Sequence, residues 1–244
     1  MTYFSINIDW NGEIKVKEAN AELKQAFLKS LPVMAGYITL GISFGLVYTS
    51  SGFSTLGAIL SSILIFAGSM QFVSVNLLLS GASPISIILM TLAVNLRHLF
   101  YSISMLDKYR GAGKYKPYME FALTDETFSI VCDGAPENLD GPKYYFLLSL
   151  FNQSYWITGT IIGATLQSML DISFAGVDFS MTALFTVTLT GQIMNKKSIP
   201  SSAMGVMVTL ACLLIFGKDS FLIPSLAIIG TVLLVTVLIE ERKK

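Results

Sequence analysis

Eight apolar stretches are spaced along the chain, at about residues 31–50, 54–80, 84–106, 119–132, 144–168, 179–194, 199–217 and 220–239. About 20 apolar residues in helical form span a bilayer. Six of the stretches fit one crossing each, with 179–194 short for the task. The other two do not fit. Stretch 54–80 is too long for one crossing and is interrupted by Phe66-Ala67-Gly68-Ser69-Met70-Gln71. Stretch 119–132 is too short and carries Thr124-Asp125-Glu126. Residues 1–29 are polar, with Asp9, Glu13, Glu18 and Glu22 set among Lys15, Lys17, Lys24 and Lys29. Within them residues 17–29 read as a short amphipathic helix at the membrane surface, or as a solvated leader that orients the first crossing.

Basic residues choose the orientation, because Lys and Arg concentrate in cytoplasmic loops. The clusters lie at residues 15–29, at 108–116 (Lys108, Arg110, Lys114, Lys116), at Lys196-Lys197 and at 242–244. With all four inside, 31–50 leads out and 84–106 leads back in. Stretch 54–80 then enters and leaves on the outer side as two half-helices broken at Gly68. By the same logic 119–132 dips in from the cytoplasm and returns. The predicted fold is an all-α integral membrane protein of about six transmembrane helices plus two shorter broken or re-entrant segments. Its parts are a cytoplasmic leader (1–29), a polytopic domain (30–241) and a basic tail (242–244), with both termini cytoplasmic. The competing count takes both irregular segments as straight crossings, giving about eight and placing 108–116 outside.

Composition agrees with the membrane reading. Charged residues make up 13% of the chain and mean hydropathy is +0.65, where soluble domains carry about 25% charged residues. Net charge is zero, so nothing points to nucleic acid. Cys132 and Cys212 lie in apolar stretches without metal or redox spacing and read as small buried hydrophobes. Residues 1–29 lack the early apolar core of a secretory signal. Gly41-Ile-Ser-Phe-Gly45 and Gly159-Thr-Ile-Ile-Gly163 both have the GxxxG spacing that lets helices approach closely. Pro32, Pro84, Pro200 and Pro224 fall near the starts of apolar runs, where a missing N–H costs little.

Polar residues at membrane depth carry the functional signal. A charge at the centre of a membrane helix costs about 2.5–3.5 kcal/mol, against about 0.3–0.6 kcal/mol gained per Leu, Ile, Val or Phe. On the order of ten such residues supply roughly 3–6 kcal/mol, which Arg97, Asn95 and His98 together nearly cancel. The third stretch is therefore expected to turn this edge to protein or to a water-filled chamber, as a transport pathway requires. Arg97 either receives a substrate carboxylate or pairs with a carboxylate of another helix. His98, the one histidine of the chain, either titrates and gates or sits in a hydrogen-bond network. Gln71, after the Gly68 break, either offers its amide to substrate or satisfies loosened backbone. Asp125 and Glu126 serve an ammonium or a coupling ion, or balance Arg97, or merely begin a helix capped by Thr124 or Asp125. Asn152 and Trp156, four apart, are placed to line the same cavity.

Four blocks carry a resemblance: Gly36-Tyr37 with Gly41 and Phe44-Gly45; Phe66-Ala67-Gly68-Ser69-Met70-Gln71-Phe72; Val94-Asn95-Leu96-Arg97-His98 with Tyr101-Ser102; and Leu123-Thr124-Asp125-Glu126. In this order they resemble the AzlC-type branched-chain amino acid permeases over about residues 30–165. The resemblance implies a bacterial inner-membrane transporter, in many members an exporter of Leu, Ile and Val, working with a small hydrophobic AzlD-type membrane partner. A branched-chain amino acid needs a carboxylate site, an ammonium site and an apolar pocket. Arg97 or the Gly68 break, Asp125 or Glu126, and Phe66, Phe72 or Trp156 are the candidates in turn, with Asn95 beside them and His98, Glu126 and Asn152 for coupling or gating.

No cofactor is expected. Gly111-Ala112-Gly113-Lys114 lacks the phosphate-loop spacing, so transport is secondary unless a separate ATPase docks. HExxH is absent and there is a single histidine, which excludes a zinc protease of that type. A channel, a non-transporting membrane subunit, and a carrier of another neutral amino acid such as methionine stay open.

Overall fold

The computed structural model describes residues 4–8, 14–18, 20–170, 199–217 and 221–241, with isolated helical positions between residues 182 and 194. The crossing expected over 179–194, Lys196-Lys197 and the 242–244 tail therefore fall mostly or wholly outside the described residues. The leader differs from expectation. Strands β1 (Phe4–Ile8) and β2 (Ile14–Glu18) form an antiparallel pair with Phe4 opposite Glu18 and Ile8 opposite Ile14, and the other elements among the described residues are helical. No separate helix covers 17–29. Helix α1 (Ala21–Ser50) starts four residues after Lys17 and runs unbroken through Pro32. Its first turns bury Glu22, Ala26 and Ser30 and leave Leu23, Phe27 and Leu28 exposed.

The remaining helices are α2 (Thr55–Leu64), α3 (Gly68–Leu79), α4 (Pro84–Tyr109), α5 (Lys116–Phe121), α6 (Asp125–Val131), α7 (Gly141–Leu170), α8 (Ile199–Phe216) and α9 (Leu222–Glu241). By length and apolarity α1 and α8 suffice to cross a membrane, and so does α4, bent by 53° between His98 and Tyr101, when its two arms count as one span.

Helices α1 and α7 form the spine and run parallel, since their contacts advance together. Glu22 meets Lys143 at 3.3 Å, Phe27 meets Phe151, Ser30 bonds Tyr155 at 2.9 Å, and Gly41 and Gly45 lie on Trp156 and Thr160. The two GxxxG motifs are each other's partners: a Cβ on Gly41 would stand 2.7 Å from the Trp156 carbonyl oxygen and 3.1 Å from the Gly159 Cα.

Helix α2 runs against α1, from Gly57 beside Tyr48 to Ser62 bonded to Thr160 at 2.9 Å, and Phe66 then meets Tyr37. Helix α3 turns back along the same side: Gly68 touches Trp156, Gln71 reaches Ser61 and Ser62, and Phe72 lies against Phe44. The other end of the spine carries a similar hairpin. Tyr118 of α5 packs on Phe146, Thr124 arrives at Tyr37, and α6 returns with Thr127 bonded to Asn152 and Val131 in one cluster with Ala26 and Leu148. Helix α4 runs opposite to α1. Arg97 stands level with both breaks, Tyr101 stacks on Phe128, and Lys108 donates to the carbonyls of Val131 and Cys132 at the end of α6, where a cation suits the exposed carbonyls. Helices α8 and α9 pack on each other and reach the rest through Gly230 against Leu96.

Candidate functional site

The two breaks, at residues 65–67 and 122–124, meet midway along the spine, and a cavity lies between them. The first is held by Phe66, at φ +43° the one described residue other than glycine with positive φ. A bulky residue in this region carries strain of about 1–3 kcal/mol, which persists where the surroundings over-determine it. Phe66 is buried, with its ring edge-on to Tyr37 at 6.2 Å. The kink expected at Gly68 thus belongs to Phe66, and Gly68 does something else: a Cβ there would stand 3.0 Å from Trp156 Cη2. Gly68→Ala is accordingly expected to displace the Trp156 ring and lower transport by about tenfold with the fold retained, checked by vesicle flux beside a size-exclusion profile.

The second break is capped by Thr124, whose hydroxyl accepts from Thr127 N at 3.3 Å. This frees Asp125 for the cavity, so the capping and countercharge readings both hold. Asp125 Oδ2 accepts from Arg97 Nη1, and Arg97 Nη2 donates to Ser69 Oγ at 2.9 Å. Arg97 is therefore not an isolated cation, because another helix supplies its carboxylate. Tyr37 Oη donates to Glu126 Oε2 at 2.6 Å and lies 2.6 Å from Thr124 Oγ1. Trp156 stands edge-on to Tyr37 at 5.7 Å and stacks on Phe44 at 6.2 Å. Four buried polar atoms on these residues have no partner: Arg97 Nε, Asp125 Oδ1, Trp156 Nε1 and His98 Nδ1. Buried polar atoms left unpaired in this way cost stability. Arg97, Asp125, Trp156 and His98 all line the same opening. The cavity is narrow, with a volume of about 60 Å³, below the roughly 300–1,000 Å³ of small-molecule sites.

A sequence signature described as AzlC protein matches residues 32–170, more than half of the chain and all of the cavity. The chain belongs to the AzlC family. A Bacillus subtilis relative named branched-chain amino acid transport protein AzlC is 44% identical over 86% of this chain and 84% of its own length. An uncharacterized membrane protein of Haemophilus influenzae is 40% identical over 89% of each chain. The Escherichia coli inner membrane protein YgaZ is 31% identical over 70% of this chain and 73% of its own. No solved structure matches. Like these AzlC relatives the chain is a membrane protein, and its family is one of transport.

Of the residues singled out from the sequence, Phe66, Gly68, Asn95 and Arg97 line the cavity, as do His98, Asp125, Glu126 and Trp156. Two do not. Gln71 is fully buried behind it, donating to Ser61 and Ser62 at 3.2 and 3.1 Å. Asn152 is fully buried and donates to Thr127 Oγ1 at 2.9 Å. Both hold the half-helices in place, because each amide bridges the spine or its partner helix to a hydroxyl at a break. Tyr37 and Ser69 were read only as members of the AzlC-like blocks, and Leu40 and Ala67 also line the opening. Tyr37 was accessible from spacing: it precedes Gly41 by one helical turn, on the face that GxxxG turns to its partner.

Proposed function

We propose that this AzlC-family chain carries branched-chain amino acids, Leu, Ile and Val, across the bacterial inner membrane in the export direction. Transport is secondary rather than ATP-hydrolysing, and a small hydrophobic AzlD-type membrane protein completes the assembly. The observation that carries the reading is the gathering of Arg97, Trp156 and Asp125, each with a buried polar atom left unpaired, around one cavity beside the apolar rings of Phe66 and Trp156. An α-amino acid has an acceptor for the first two, a donor for the third, and an aliphatic side chain for the rings. The name of the Bacillus relative points the same way.

Direction of the chain supports the membrane arrangement. Since α1 and α7 run parallel, an odd number of crossings separates them. If both broken segments are re-entrant, α4 is that crossing; if both cross, there are three. Each broken segment doubles back along α1 and α7, which favours re-entrance, about six crossings in all, and cytoplasmic termini. Broken helices that meet from opposite faces are a recurrent way for secondary carriers to build a midplane site. In this arrangement Gly68, Asn95, Arg97 and Asp125 hold substrate with Phe66 and Trp156, Gln71 and Asn152 brace the breaks, and His98 and Glu126 stand where coupling or gating needs a titratable group.

The test is counterflow in vesicles holding the purified chain together with the small membrane protein that co-purifies with it. Saturable exchange of labelled leucine, competed by isoleucine and valine, is expected. Methionine competing in their place would shift the substrate, and leak without saturation would identify a channel. Collapse of leucine accumulation by an uncoupler is expected, and flux that needs added ATP would overturn the secondary mechanism.

A further inference from the structure

We propose that Glu126 anchors the α-ammonium of the substrate, and that this ammonium, more than the carboxylate, decides what the cavity admits. The inference rests on the amino-acid reading above. The cavity presents two carboxylates, Asp125 and Glu126, against the single guanidinium of Arg97; His98 as neutral imidazole leaves that balance unchanged. Arg97 is already engaged through both Nη atoms, with Asp125 Oδ2 and Ser69 Oγ. Glu126 has no salt-bridge partner among the described residues, where the ion pairs involve Arg97, Arg110, Lys116 and Lys143 with other carboxylates. Its Oε2 takes the Tyr37 hydroxyl at 2.6 Å, a neutral donor that fixes the carboxylate without balancing its charge. One negative charge is therefore left over at membrane depth, where an uncompensated carboxylate is costly.

An ammonium group supplies the missing charge and three N–H donors, with Glu126 and its neighbour Asp125 both on the cavity wall to accept them. A second observation places a ligand here: Trp156 is 3% exposed, lines the same cavity, and its Nε1 has no acceptor. With Arg97 Nε it is a donor for the other end of the molecule. That end is met by a neutral indole and by a guanidinium whose charge Asp125 already balances, so the carboxylate adds less discrimination than the ammonium. A 2-oxo acid, with a carboxylate and no ammonium, leaves Glu126 uncompensated and is rejected. An amino acid amide, with the ammonium and no free carboxylate, is accepted.

The experiment uses the two tryptophans of the chain, Trp10 and Trp156. In the Trp10→Phe protein the chain's own emission comes from the cavity wall alone and, measured against a Trp10→Phe/Trp156→Phe blank that carries the partner's emission, reads occupancy without transport. Leucine, leucinamide and 4-methyl-2-oxopentanoate are titrated into the full chain with its co-purifying partner. Leucine and leucinamide are expected to shift the emission saturably within about tenfold of each other, and the oxo acid to fail at about a hundredfold higher concentration. Glu126→Gln, which keeps shape and removes charge, is expected to weaken both binders by about tenfold or more, and Tyr37→Phe to weaken them less. An oxo acid that binds as well as leucine while leucinamide is inert overturns the inference. So does unchanged leucine affinity in Glu126→Gln, an outcome that assigns Glu126 a proton instead. If leucinamide binds and leucine does not, the ammonium anchor stands and the branched-chain reading falls. If leucine is bound and carried but indifferent to Glu126, the reverse holds.

Discussion

Asp125→Asn is expected to lower leucine transport by about a hundredfold or more while leaving the protein folded. The substitution keeps the shape of the side chain and removes the charge that Arg97 faces. Removing one partner of a fully buried ion pair costs about 3–5 kcal/mol, because the other charge is stranded. Here the side chains of Arg97 and Asp125 are 35% and 30% exposed toward the opening, so cavity water moderates the penalty and the fold survives. Function is less tolerant. The carboxylate at residue 125 holds the guanidinium and puts a negative charge on the chamber wall, and a neutral amide does neither. The complementary exchange, Arg97→Asp with Asp125→Arg, separates the two roles. It rebuilds the pair and is expected to restore the yield of folded protein to near the parental level while transport stays absent. Recovery of leucine flux in the exchanged protein would reduce the pair to a lock between α4 and α6, and unaltered flux in Asp125→Asn would place the site elsewhere.

The same pair shows what the sequence could and could not reveal. That Arg97 must face inward followed from the cost of a charge in lipid, and the two irregular stretches announced their breaks by length and by polar residues in the middle. The order of the basic clusters predicted a course for the chain that agrees with the directions of α1, α4 and α7. Three features were hidden for physical reasons. Which carboxylate meets Arg97 depends on tertiary approach, and Asp125 and Glu126 are adjacent in sequence with the same chemistry. Only the fold sends the first to Arg97 and the second to Tyr37. The left-handed backbone at Phe66 contradicts local preference, which assigns such a conformation to the nearby Gly68; packing of the Phe66 ring against Tyr37 overrides it. Gln71 and Asn152 carry the same amide that a substrate contact would use, and their burial behind the breaks is settled by hydroxyls at Ser61, Ser62 and Thr127 that lie 10, 9 and 25 residues away. The pairing of β1 with β2 escaped as well, because its alternation of apolar and polar residues is confined to two short runs beside a lysine-rich segment that also suits a helix.

Gly159→Leu is expected to abolish the folded protein, with almost no monodisperse material surviving in detergent, whereas Gly36→Leu is expected to express near the parental level. The contrast comes from what a side chain would meet. A Cβ on Gly159 would stand 2.5 Å from the Ile38 carbonyl oxygen and 3.0 Å from the Gly41 Cα, and both are backbone atoms that no rotamer change can move aside. A Cβ on Gly36, on α1, meets nothing within 4 Å. Overpacking a well-packed contact costs about 1–3 kcal/mol when side chains can shift, and a branched side chain against backbone exceeds that range because whole helices must separate. The spine is the contact that holds the site: Tyr37 on α1 and Trp156 on α7 are brought edge to face by the crossing of Gly41 with Gly159, and both half-helix breaks are docked on those two rings. Prying α1 from α7 therefore removes the cavity along with the fold. Gly159→Ala is the graded version, expected to leave some folded protein with leucine affinity lowered about tenfold. Normal affinity and yield in Gly159→Leu, read by size exclusion and by Trp156 emission, would mean that α1 and α7 do not cross at these glycines.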